Sequence, residues 1–158
     1  MQYQAVVFDM DGVIFDTERL VIEFWKEVAK KHNIPNIEHT CIQCLGTNRV
    51  RTREIFLENY GADFPFDPYR AEVTELFNTH YKGVPLPTKP GIRELLSYLQ
   101  EQDIKVGLAS STAQHLVRDE IGTAGLLPYF QTLVCGDMVE HSKPAPDIFL
   151  KACEILNA

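Results

Sequence analysis

The 158-residue chain contains no run approaching the roughly 20 apolar residues that a membrane-spanning helix requires. Positive charge is also in short supply. Fifteen Lys and Arg stand against 22 Asp and Glu, a formal net charge of −7 (15 Lys+Arg, 22 Asp+Glu). That balance disfavours nucleic acid and anionic membrane surfaces as partners. The opening Met1-Gln2-Tyr3-Gln4 lacks the basic stretch and long apolar run of a signal peptide, so a soluble cytoplasmic protein is the expectation. Cysteine is scarce. Of Cys41, Cys44, Cys135 and Cys153, the first two have the C-x-x-C spacing of a redox pair or half a zinc site. No second ligand pair follows for zinc, and the strand-to-helix context of a thioredoxin-like motif is missing. The pair therefore reads as buried thiols in a helical segment. No internal repeat or low-complexity segment is present.

What the chain does contain is ordinary globular composition, 45% hydrophobic and 23% charged, at a length that suits one domain or a core with a small second lobe. Ala5-Val6-Val7-Phe8 is apolar at every position, the pattern of a strand buried on both faces in a parallel sheet. Helical patterns follow from Thr17 to about Asn33, from Asn36 to Tyr60 and from Asp67 to Tyr81, with no strand pattern between Asp16 and Tyr81. Phe24 and Trp25 fall on the apolar face and read as core. Beyond the proline-rich stretch Pro85–Gly91 the pattern changes. It predicts a helix over Ile92–Leu99 started by Pro90, a strand over Ile104–Ala109 and a helix over Gln114–Ile121. A strand over Thr132–Cys135 and a helix over Asp147–Leu156 complete it. Alternating strands and helices call for an α/β fold with a Rossmann-like parallel sheet. Three strands are visible, with an all-helical lobe inserted after the first. The expected division is residues 1–15 plus 86–158 for the α/β core and residues 16–85 for the lobe.

Ligands of open α/β sheets bind at the carboxyl ends of the strands. Asp9 and Asp11 follow the first strand, Ser110 and Ser111 the second, Gly136 and Asp137 the third, and Lys143 stands in the next loop. Each piece alone has a plain reading: Asp-x-Asp as a solvated loop or helix cap, Ser-Ser as a turn, Lys143 as surface. An EF-hand loop fails because Val13 stands where a third acid is required. Together the residues form a set suited to phosphoryl transfer. A carboxylate such as Asp9 attacks phosphorus when Mg²⁺ screens the like charges, and Asp11 serves as acid and then base. Ser110 and Lys143 stabilise the transferring group, and Gly12 permits a tight turn against the phosphate.

Val7-Phe8-Asp9-Met10-Asp11-Gly12-Val13, Leu108-Ala109-Ser110-Ser111 and Ser142-Lys143-Pro144-Ala145-Pro146-Asp147 resemble the first three motifs of the haloacid dehalogenase superfamily. Within it, the chain is most similar to the branch of β-phosphoglucomutase and small sugar-phosphate phosphatases. The resemblance implies Asp9 as nucleophile, Asp11 as general acid/base, Ser110 as phosphate clamp and Lys143 as charge stabiliser. It implies Mg²⁺ held by Asp9 and the Asp11 carbonyl, a helical cap, and a small-molecule phosphate ester as substrate. Gly12 and Ser111 would line the phosphate, and Arg49, in Leu45-Gly46-Thr47-Asn48-Arg49, would touch its distal part. The plainer reading of Arg49 is one exposed arginine, beside Arg51 and Arg53, on a solvated helix face. The family's mutases carry a histidine where Val21 stands, so hydrolysis is expected ahead of a phosphosugar mutase. The resemblance also implies a fourth, acidic motif after a further strand, which is not reached by Ala158. From that comes the expectation of a first strand left at the sheet edge, a weak metal site and poor turnover in this chain alone. A catalytically silent binding fragment is the reading from another class, and the pattern leaves oligomeric state open.

Overall fold

The computed structural model describes residues 3–47, 49–141 and 143–158. Ser142 and Asn48, each quoted above within a motif or loop, lie outside them. Two compact units result. Met1–Asp16 with Gly83–Ala158 form an α/β unit, and Thr17–Lys82 form a helical one.

In the α/β unit, β1 (Ala5–Phe8), β2 (Lys105–Ser110) and β3 (Thr132–Cys135) make a parallel sheet in the order β1-β2-β3. The first register pairs Phe8 with Leu108 and the second pairs Ser110 with Cys135, which brings all three carboxyl ends to one edge. β2 is central and buried from Val106 to Ser110. β1 departs from the expectation of burial on both faces, because Ala5, Val6 and Val7 are only half-buried. The reason is lateral: among the described residues β1 is hydrogen-bonded to β2 alone, so it forms an edge. α5 (Ile92–Glu101), α6 (Gln114–Thr123) and α7 (Asp147–Leu156) pack on the sheet. α7 buries Ile148, Ala152 and Leu156, three residues on one face at helical spacing. Gly107 permits that approach, since a Cβ there would lie 3.0 Å from Leu156 Cδ1. α5 starts at Ile92 as expected and runs on to Glu101, and the residue at its N-cap is Gly91, whose φ of +82° admits no side chain comfortably. The segments leaving and re-entering this unit pair with each other: Asp16 N donates to Pro87 O (2.9 Å) and Lys89 N to Ile14 O (2.8 Å).

The helical unit comprises α1 (Thr17–His32), α2 (Ile37–Gln43), α3 (Arg49–Tyr60) and α4 (Phe66–His80). α1 carries Glu18 in its first turn and Lys30, Lys31 and His32 in its last, complementing the helix dipole. Leu20, Phe24, Trp25 and Val28 make its buried stripe. Trp25 stacks against Phe66 and meets Phe56 at 4.6 Å between centroids, so both aromatic residues of α1 are core. The single helix expected over Asn36–Tyr60 is in fact two. The chain turns at Cys44–Thr47, where Gly46 adopts φ +72° and the Thr47 hydroxyl donates to the Cys44 carbonyl (2.7 Å). Cys41 is buried and Cys44 half-buried, both as free thiols. Burial pushes the Cys41 thiol up to about 12, the opposite of what a reactive thiolate needs. Among the described residues no helix is long and apolar enough to cross a membrane.

Candidate active site

The turn after β1 is organised around Met10. Its side chain is buried, and its carbonyl accepts the amides of Val13 (3.3 Å), Ile14 (2.8 Å) and Phe15 (3.1 Å). Sinking Met10 into the core leaves Asp9 half-buried and Asp11 exposed, while Gly12 makes the bend with φ +71°. The sequence alternation acid–apolar–acid is thus the local cause of the site's shape.

Asp9 and Lys143 are brought into direct contact. Lys143 Nζ lies 2.8 Å from Asp9 Oδ1, and the same oxygen accepts the Met10 amide at 2.7 Å. Lys143 is held from two further sides. Its ammonium donates to the Ala109 carbonyl at the end of β2 (2.9 Å) and sits 4.9 Å from the centre of the Phe149 ring on α7. One cation therefore joins the β1 end, the β2 end and α7, which a lysine on a solvated loop would not do. Its own loop is pinned by His141 Nδ1 against Asp147 Oδ2 at 2.8 Å, and that contact holds the Asp147 carboxyl below the usual carboxylate range.

Ser110 ends β2 and is fully buried; its Oγ accepts the Thr112 amide at 3.2 Å, a bond that does not use the hydroxyl proton. Ser111 is exposed, and its carbonyl packs on Gly136. A Cβ at Gly136 would meet that oxygen at 2.2 Å and the carbonyl carbon at 2.9 Å. Both are backbone atoms and neither has a rotamer to yield. Gly136→Ala is therefore expected to lower stability by about 1–3 kcal/mol, read from the urea midpoint, and to lower activity by displacing Ser111. Asp137, which the sequence places at the same mouth, spends both carboxylate oxygens on the Gln114 amide (3.1 and 3.2 Å) and so closes the N-terminus of α6. Glu120 on α6 was not singled out by any pattern. Burial, then the like charges of Asp11 and Asp119, push its carboxyl up to about 7. Arg49 belongs to the helical unit, where Nη2 pairs with Asp67 Oδ1 at 3.2 Å.

Among the described residues no three His, Cys, Asp or Glu side chains cluster as a metal cage. The donors at the β1 end are hard oxygens, and both described contacts of the Asp9 carboxylate fall on Oδ1. Mg²⁺ binds through one or two carboxylates, substrate phosphate and retained waters, so this donor set fits Mg²⁺ better than an ion needing an all-protein cage.

The profile of the haloacid dehalogenase-like hydrolase family matches residues 6–158. A phosphorylated carbohydrates phosphatase from Thermotoga maritima is 32% identical over 154 residues, covering 98% of this chain and 71% of that protein. A β-phosphoglucomutase from Bacillus subtilis is 34% identical over 164 residues, covering 98% of this chain and 70% of the relative. Among solved structures, one from Thermotoga maritima superposes with a TM-score of 0.73 at 32% identity, covering 98% of this chain and 71% of that one.

Proposed function

This chain belongs to the haloacid dehalogenase-like hydrolase family, and on that premise we propose that it is a Mg²⁺-dependent phosphatase acting on a small phosphorylated metabolite, a sugar phosphate by class, through an aspartyl phosphate on Asp9. The observation that carries this reading is the Asp9–Lys143 contact at 2.8 Å, made at the carboxyl end of the sheet and shared with the Met10 amide.

With Oδ1 held by two donors the Asp9 carboxylate is fixed in place, and one of its oxygens attacks phosphorus. That oxygen forms a bond to phosphorus as the bond from phosphorus to the leaving alkoxide breaks. Asp11, exposed and two residues on, gives its proton to that alkoxide. The resulting carboxylate then takes a proton from water; the water oxygen attacks phosphorus, the Asp9–phosphorus bond breaks and phosphate departs. Lys143 offsets the negative charge that gathers on the phosphoryl oxygens, and the Ser110 hydroxyl donates to one of them. Gly12 and the Ser111 segment complete the phosphate surroundings. Asp9 and the Asp11 carbonyl are the residues that would hold the metal. Bound there, Mg²⁺ would screen the repulsion between carboxylate and phosphate. The helical unit is read as the cap, with Arg49 its substrate contact.

Val21 on α1 supports hydrolysis over transfer between sugar hydroxyls, because an apolar side chain neither gives nor takes a proton. The mutase is kept as second reading because of the 34% identity to a β-phosphoglucomutase. Free phosphate measured from a panel of sugar monophosphates with Mg²⁺ separates the two. Hydrolysis predicts stoichiometric phosphate from at least one sugar without a bisphosphate activator. Isomerised sugar phosphate with little free phosphate would instead establish the mutase, and neither product would overturn the enzyme reading.

A further inference from the structure

The helical unit carries an open surface cavity of about 770 Å³ between the start of α3 and the length of α4, lined by exposed residues around half-buried Arg70. Its lining runs against the character of the chain. The protein carries a net charge of −7, yet Arg49, Arg70 and Lys82 line this cavity against only Asp67 and Glu75. Arg70, Thr74, Asn78 and Lys82 recur every fourth residue, so they fall along one side of α4 and its extension.

Asp67 is the acid best placed to neutralise the cluster, but it is already committed. Its Oδ1 takes Arg49 Nη2 at 3.2 Å and its Oδ2 takes Arg53 Nε at 3.3 Å, from a residue outside the cavity lining. Arg70 is left half-buried with no hydrogen bond or ion pair from its guanidinium among the described residues. Burial first, then the like charge of Arg49, pull its pKa below the ordinary arginine value, and the nearby Asp67 carboxylate offsets this only in part. A guanidinium is a planar, bidentate donor that matches the oxygens of phosphate. Asn78 and Lys82 add donors on the same side, whereas the Thr74 hydroxyl is used on the Arg70 carbonyl (3.0 Å).

We propose that this cavity is a binding site for a phosphate-type oxyanion, anchored by the Arg70 guanidinium and assisted by Asn78 and Lys82. Arg49, read above as a substrate contact, shares the lining, but the anchor Arg70 is not among the residues assigned to catalysis, so phosphate binding at Arg70 is tested without turnover. The oxyanion has two possible sources, free phosphate or a second anionic group on the substrate.

Inorganic phosphate titrated into ¹⁵N-labelled protein, against sodium chloride at matched ionic strength, tests the site residue by residue. Amide signals of Arg70, Thr74 and Asn78 are expected to shift saturably in the wild type and equally in Asp9→Asn. Arg70→Gln is expected to weaken that binding about tenfold or more, and Arg70→Lys to retain part of it, as expected when a charged hydrogen bond and its fork are lost in turn. Unchanged dispersion of the helical signals shows that the variants remain folded. Shifts reproduced by sodium chloride, or unaltered in Arg70→Gln, overturn the proposal. The sources are told apart kinetically. A raised KM at unchanged kcat in Arg70→Gln, seen only for substrates with two anionic groups, assigns the site to substrate; unchanged KM for both kinds assigns it to free phosphate.

Discussion

Asp9→Asn is expected to reduce phosphate release by about 10³-fold or more while leaving the fold intact. The substitution is nearly isosteric. An amide oxygen at the Oδ1 position still accepts the Met10 amide now made at 2.7 Å, so the turn around buried Met10 persists. What disappears is the carboxylate that the proposed reaction uses as its nucleophile, together with the ion pair to Lys143. That pair is not a large source of stability, because the Asp9 side chain is 39% exposed and solvent screens it. The unfolding midpoint is accordingly expected to stay close to wild type while turnover collapses. Activity surviving Asp9→Asn contradicts the nucleophile assignment. Loss of activity accompanied by unfolding would point to a structural role for the pair instead.

How readily the site could be read from sequence depended on which atoms build it. Asp9 and Ser110 stand where apolar runs end, so a strand end and a polar side chain are encoded together by neighbouring letters. Lys143 was legible through its motif, but what fixes it was not. The Ala109 carbonyl is a backbone group that any residue would supply, and the Phe149 ring lies on a helix whose packing against the loop is a tertiary fact. Asp137 looked like a member of the mouth by position, and only the Gln114 amide shows where its oxygens go. The fold shows the same division. The all-apolar Ala5–Phe8 run identified a strand of a parallel sheet, but a residue pattern records faces and not lateral neighbours, so the half-buried state of β1 followed from the expected edge position and not from the run itself. The break between α2 and α3 was hidden because Gly46 reads as a tolerable helix residue. It becomes a terminator only when its φ turns positive and Thr47 bonds back to Cys44. Arg70 sits in no motif at all. Its interest comes from Asp67 being occupied by two other arginines, a fact about three helical side chains in space.

Lys143→Met is expected to lower kcat by about 10²- to 10³-fold with a smaller change in KM. Methionine keeps an unbranched apolar stem of similar length against the Phe149 ring, so packing at that point is largely preserved. The ammonium is lost, and with it the 2.8 Å contact to Asp9 and the 2.9 Å bond to the Ala109 carbonyl. The ground state feels this modestly, since Asp9 keeps the Met10 amide and the Lys143 side chain is 23% exposed. The transition state feels it more. Negative charge is spread over the phosphoryl oxygens there, and a preorganised cation is worth most where charge develops. Lys143→Arg separates charge from geometry. It restores the positive charge, but a forked guanidinium cannot place one nitrogen simultaneously on Asp9 Oδ1, on the Ala109 carbonyl and over the ring as the compact ammonium does. Steady-state kinetics of the two variants, with thermal midpoints measured alongside, should therefore show Arg intermediate between Lys and Met in kcat at nearly equal stability. If Met and wild type share the same kcat, Lys143 is a structural tether between α7 and the sheet and takes no part in the transition state.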